Sequence, residues 1–271
     1  MSASSYLRRI TDAAVLRDAE KASVERSLAA LRSKLRAHFG DGRWATNVVK
    51  KHFAFGSYTR GTILPRSMDP QSDVDYMVIF EDADAQPQTY LDRLRRFVEA
   101  NYPRSEVAQS HPTIVLALDH IRFELVPAIE TFWSGIQIPG TGSFFDKWIT
   151  TTPNDFNSKL SEKNKNNDNL IKPLVRAVKY WNASNNYPFE SFRLEQMVVD
   201  YVSLEAALFG ANLWKRFAWF IEDLSVSWSD PANKNTAIER AKELVAEVRR
   251  LSEKGDDSAA EAKLRRLLPE T

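Results

Sequence analysis

The chain has 271 residues, 43% of them hydrophobic, and 37 basic against 36 acidic side chains give a formal net charge of +1. That length suits one large domain or two smaller ones, and the balanced charge argues against a protein that grips a long nucleic acid. With no cysteine there is no disulfide, thiolate zinc site or cysteine nucleophile; no apolar run reaches the roughly 20 residues of a membrane span, and MSASSYLRRITDAAVLRDAEK lacks a signal-peptide core, so the cytoplasm is the expected location.

Val24, Leu28, Leu31 and Leu35 recur at helical spacing with Glu25, Arg26, Arg32 and Lys34 on the other face. This predicts a long amphipathic helix, stopped by Gly40-Asp41-Gly42. Short strands are predicted before Gly56, over Val74–Phe80, and as a hairpin pair, Thr113–Leu118 and Ile121–Val126, joined by Asp119-His120. Between them a helix over Tyr90–Ala100 buries Leu91, Leu94 and Val98, with Phe97 beside them.

After Trp148 the pattern changes. Thr150–Asn154 reads as a loop, and from there on only helical periodicity is evident. It runs through Leu170, Leu174, Val178 and Trp181, then through Leu194, Met197, Tyr201, Leu204 and Leu208 to a stop at Gly210. A third helix is predicted over Leu213–Leu224, a fourth through Ile238, Ala241, Val245 and Val248, and a short last one after Gly255-Asp256-Asp257. Asn164–Asn169 reads as a polar loop, and the seven tryptophans as core. The expected class is α+β. An N-terminal helix and mixed α/β core would occupy residues 1–150 and a helical domain residues 151–271, with the active site in the cleft between the lobes.

The chemistry concentrates in Phe53–Phe80, FAFGSYTRGTILPRSMDPQSDVDYMVIF. Asp73 and Asp75 stand two apart in a strand, so both carboxylates face one side of the sheet. Such a like-charged pair is best tolerated around a cation. Glu124 interrupts the apolar strand Ile121–Pro127 and supplies a third carboxylate. Oxygen ligands of this kind suit magnesium, which keeps waters and takes carboxylates together with substrate phosphates. Gly56-Ser57 offers a tight turn with backbone N–H groups and a hydroxyl for phosphate. Neither a P-loop nor a Gly-x-Gly-x-x-Gly motif is present, and no histidine falls in a ligand pattern.

Gly-Ser followed by Asp-x-Asp and a single later acid resembles the DNA polymerase-β-like nucleotidyltransferase superfamily. GSYTRGT, SDVDYMV and FELVPAI are similar to the bacterial cyclic-oligonucleotide synthases, relatives of cyclic GMP–AMP synthase and oligoadenylate synthase. WITTTP at 148–153, LIKPLVRAVKYW at 170–181, SFRLE at 191–195 and DPAN at 230–233 extend the resemblance over residues 20–250. It departs in the long Thr59–Ser72 spacer and in having Glu, not Asp, as the third acid.

The resemblance implies a polymerase-β-like lobe followed by a helical lobe. Asp73, Asp75 and Glu124 would hold Mg2+ (or Mn2+) and carry catalysis, while Gly56, Ser57, Lys179 and Ser191 would bind the triphosphate and Phe192 would stack on the base. It implies ATP, GTP or other nucleoside triphosphates as substrates and a small cyclic or linear oligonucleotide signal as product, made with release of pyrophosphate. The setting would be antiphage defence, with a separate effector that responds to the signal. Two alternatives stand beside it: nucleotidyl transfer to an RNA, protein or small-molecule acceptor, and an inactive nucleotide-binding sensor.

Overall fold

The computed structural model describes residues 2–40, 48–110, 112–141, 146–201 and 211–270. The expected helix positions Leu204 and Leu208, the stop at Gly210, Asp41-Gly42, Trp44 and His111 lie outside them. The chain is α+β and divides into two compact units, but not at residue 150. A helical unit comprises Met1–Leu16, Gly61–Pro70 and Ser158–Thr271; a sheet unit comprises Arg17–Arg60 and Gln71–Asn157. Two pieces expected in the N-terminal domain therefore belong with the C-terminal helices. The first is helix α1 (Ala3–Ala13), which buries Tyr6, Leu7 and Ile10 along one stripe, and the Tyr6 hydroxyl donates to Leu268 O at 2.6 Å. The second is the strap Gly61–Pro70, whose Thr62, Ile63, Leu64 and Met68 are buried.

In the sheet unit, α2 (Asp18–Phe39) buries Val24, Leu28, Leu31, Leu35 and Phe39, the stripe predicted from spacing, and ends at Gly40 with φ +65°. Next come β1 (Val49–Ala54), the short helix α3 (Gly56–Arg60), β2 (Asp73–Phe80), α4 (Pro87–Asn101), β3 (Glu106–Ser110), β4 (Thr113–Ala117), β5 (Arg122–Thr131), β6 (Gly135–Pro139) and β7 (Trp148–Thr150). The sheet runs β1-β2-β5-β4-β3, with β6 paired to the far half of β5 and β7 to β6. β2 and β5 are parallel, and every other pairing among the described residues is antiparallel. The expected hairpin forms between β4 and β5, closed by Leu118 N donating to Ile121 O at 2.8 Å.

β2 reads as a continuous apolar run beyond Asp75 because both of its faces are covered. One face turns Phe80 onto Phe39 of α2 and Tyr90 of α4, with ring centroids 5.4 and 5.1 Å apart. On the other, Met77 and Ile79 pack with Val126, Ala128, Phe53, Phe55, Ile136 and Ile138.

The helical unit continues from α5 (Asp155–Lys165) through α6 (Ile171–Ser184), α7 (Ser191–Asp200), α8 (Leu213–Asp223), α9 (Ala232–Glu253) and α10 (Asp257–Leu267). α5 takes in the first two residues of the predicted Asn164–Asn169 loop. Asn164 then bonds Asn169 and accepts from Lys172 N at 2.9 Å, tying the turn to the start of α6. The tryptophans divide: Trp181 and Trp214 are buried, but Trp133 and Trp228 are 91% and 97% exposed, since both lie in turns and not on helical faces. No described helix is long and apolar enough to cross a membrane.

Candidate active site

Parallel pairing of β2 and β5 sets Asp73 beside Arg122 and Asp75 beside Glu124. Alternation puts all four side chains on one face, the same face that turns apolar two residues later at Met77 and Val126. The three predicted carboxylates are thus brought together at the end of a packed sheet, each half-buried. Arg122, which sequence reading passed over, stands among them. Its Nη2 donates to Glu124 Oε1 at 2.5 Å and lies 3.9 Å from Asp73 Oδ2. Thr113 Oγ1 is 3.4 Å from the other Glu124 oxygen. Burial, with the charges of Asp75 and Glu124, pushes the Asp73 carboxyl up to about 8, against the opposing pull of Arg122.

Gly56 ties the Gly-Ser turn to this face. Phe55 N donates to Asp75 O at 3.0 Å, so β1 delivers the turn directly beside the second aspartate. Gly56 has φ +72°, and a Cβ there would lie 1.8 Å from Asp75 Oδ2. Only glycine fits this close approach. Ser57 follows in the first turn of α3, half-buried. The Tyr58 hydroxyl anchors α3 by donating to Glu25 Oε1 at 2.6 Å, and the Arg60 guanidinium lies 5.4 Å from the Phe156 ring centroid.

The donor set fits a hard divalent cation: three carboxylates outweigh one guanidinium, and all their ligand atoms are oxygen. Among the described residues, however, no three His, Cys, Asp or Glu side chains already stand at metal-ligand spacing. Glu124 Oε1 is held by Arg122 Nη2 instead.

The remaining predicted residues belong to the helical unit. Lys179 and Arg176 do share one face of α6, but it is a buried face. Lys179 Nζ donates to Thr62 O at 3.1 Å, Arg176 Nη1 to Gly61 O at 3.2 Å and Arg176 Nε to Thr11 O at 3.3 Å. Thr62 Oγ1 in turn donates to Glu195 Oε1 at 2.7 Å, and Tyr187 Oη to Asp69 Oδ1 at 2.6 Å. The spacer of unassigned role is therefore a strap clamped by α6, α7 and the turn before α7. Its partners Glu195 and Tyr187 gave no signal in sequence beyond an acid inside an apolar helix. Ser191 opens α7 and is exposed, and Phe192 is 41% exposed, not core. Glu190 caps this helix, its carboxylate accepting from the N–H groups of Phe192 and Arg193.

The profile of a family described as the Second Messenger Oligonucleotide or Dinucleotide Synthetase (SMODS) domain matches residues 1–164, which include the whole acid set and the Gly-Ser turn. The chain belongs to that family. A SMODS relative, the CBASS oligonucleotide cyclase CdnC of Escherichia coli strain KTE188, is 26% identical over 219 residues, covering 76% of this chain. The chain spans 65% of that protein's own length. Among solved structures, the apo form of Vibrio cholerae DncV matches with a TM-score of 0.74 at 11% identity, covering 99% of this chain and 95% of that one. E. coli MS115-1 CdnC with ATP matches with a TM-score of 0.69 at 15% identity, covering 96% of each chain. The fold expected for a SMODS protein is thus the fold observed.

Proposed function

We propose that this chain is a metal-dependent nucleotidyltransferase that joins nucleoside triphosphates into a cyclic or short linear oligonucleotide second messenger. The observation that carries this reading is the in-register set Asp73, Asp75 and Glu124, with Gly56 closed against Asp75, inside the family match. The acceptor hydroxyl oxygen forms a bond to the α-phosphorus of the donor as the bond to pyrophosphate breaks. Asp73, Asp75 and Glu124 would hold magnesium, or manganese in its place, which would lower the pKa of the acceptor hydroxyl and counter the charge of the triphosphate.

The chain's own groups position the donor. Gly56 lets the backbone approach the phosphates without a side chain in the way, and Ser57 adds a hydroxyl. Ser191 and Phe192, exposed at the start of α7, are assigned to the phosphates and the base on the family pattern. Lys179, whose ammonium donates to Thr62 O, is assigned to the phosphates on the family pattern. ATP and GTP are the expected substrates and a separate effector protein the receiver of the product. The CBASS cyclase among the relatives supports an antiphage setting.

Incubation of the purified chain with all four ribonucleoside triphosphates and magnesium, read by mass spectrometry, tests the reading. A phosphodiester-linked oligonucleotide made without added acceptor is expected. Label transferred only to an added RNA, protein or small molecule overturns it, as does no turnover in any mixture.

A further inference from the structure

We infer that Arg122 is a built-in counter-cation of the carboxylate set that competes with a divalent ion for it, so that Arg122 raises the metal concentration at which this site fills. This rests on the nucleotidyltransferase reading and deepens it.

The argument starts from register. Arg122 is the β5 residue paired with Asp73 and lies two positions before Glu124, so its side chain emerges on the carboxylate face. Its backbone position is fixed by the same ladder that aligns the acids. From there Nη2 reaches Glu124 Oε1 at 2.5 Å and stands 3.9 Å from Asp73 Oδ2. Thr113 Oγ1, whose hydrogen goes to Ser110 O at 2.9 Å, stands 3.4 Å from the other oxygen, Oε2. A guanidinium is permanently charged and its forked donors match a carboxylate. It therefore relieves the repulsion among the three acids while no metal is bound.

A metal ion ligated by Glu124 draws on the same carboxylate charge, because a hard cation binds carboxylate oxygen directly at a little over 2 Å. An ion on either oxygen would sit close to the Arg122 guanidinium, whose Nη2 is 2.5 Å from Oε1, and like charges repel. Filling the site then costs either that repulsion or the Arg122–Glu124 bond, and the cost is subtracted from metal affinity.

The sign of this effect separates it from a merely structural role. An arginine that only held the strand in shape would weaken metal binding when removed. A competitor strengthens it. Titration of Mn2+ into the full chain, followed by electron paramagnetic resonance, is the test, with metal-free thermal unfolding alongside. Arg122→Gln is expected to bind Mn2+ about tenfold more tightly, the scale of one charge-assisted hydrogen bond, and to melt at a lower temperature than the unsubstituted chain when metal-free. Arg122→Lys, which keeps the charge but not the fork, should fall between, and carries the comparison if the glutamine variant does not fold. Unchanged or weaker Mn2+ binding in both variants overturns the inference and leaves the nucleotidyltransferase reading standing. Asp75→Asn should lose Mn2+ binding; if it binds as the unsubstituted chain does, the metal site and the reading built on it both fall.

Discussion

The two units each hold a cluster of charged side chains, and the clusters are built on opposite rules. In the helical unit Arg176, Lys179 and Glu195 are all buried, Glu195 at 1% exposure, and the bonds described for them run to carbonyls and a hydroxyl of the strap or of α1. In the sheet unit Asp73, Asp75 and Glu124 are three acids gathered on one strand face, each partly buried, with the Arg122 guanidinium against Glu124 and 3.9 Å from Asp73. Buried charge that holds a fold together is matched and hydrogen-bonded. Like charge gathered on one strand face is unfavourable for folding, and such a cluster is a candidate ligand site.

Substitutions in each cluster should therefore separate cleanly. The largest effect is expected at Asp75: Asn at this position should lower nucleotide-joining activity by about a thousandfold or more, the scale of losing a metal-held charge at the reacting centre, measured as product by mass spectrometry. The same variant should melt no lower than the unsubstituted chain, because it removes a like charge from the set. Next is Gly56→Ala. A methyl group 1.8 Å from Asp75 Oδ2, on backbone at φ +72°, must push the carboxylate aside; activity should fall about a hundredfold, and stability by about 1–3 kcal/mol in urea unfolding.

The helical cluster should answer in the other currency. Glu195→Ala strands the Thr62 hydroxyl in a buried place and should lower the unfolding free energy by about 3 kcal/mol, while a loss under about 1 kcal/mol would break the contrast drawn between the clusters. Smallest is the exposed pair Lys159–Asp200, 2.5 Å apart with side chains 55% and 59% exposed. Lys159→Ala should change stability by less than about 0.5 kcal/mol, and less still in high salt.

Much of this was legible from residue order. Alternation alone places Asp73 and Asp75 on one face, and the four-three-four spacing of Val24, Leu28, Leu31 and Leu35 gives the buried stripe of α2. Register between strands was not legible. Nothing in IRFELVPAI says that Arg122 will stand opposite Asp73, since pairing depends on tertiary packing of both strands. α1 was passed over because its stripe, Tyr6, Leu7 and Ile10, is short and lies amid polar residues. The strap was illegible for a different reason. GTILPRSMDP has no period of its own, and its burial is decided by side chains more than a hundred positions away, such as Lys179 and Glu195. Exposure of Trp133 and Trp228 went unread because composition says only that large aromatics are usually covered.

The strap also bears on how this polypeptide can be dissected. The chain passes from one compact unit to the other after Leu16, Arg60, Pro70 and Asn157, four times in all. Neither unit is a contiguous gene segment. Expressing residues 151–271 alone would omit α1 and the strap, baring the surface that Tyr6 and Leu64 cover and leaving Lys179 without the Thr62 carbonyl. Expressing 1–150 would carry those same apolar pieces without their helical partners. Dissection of this protein for biochemistry therefore calls for a permuted or co-expressed design, not a truncation.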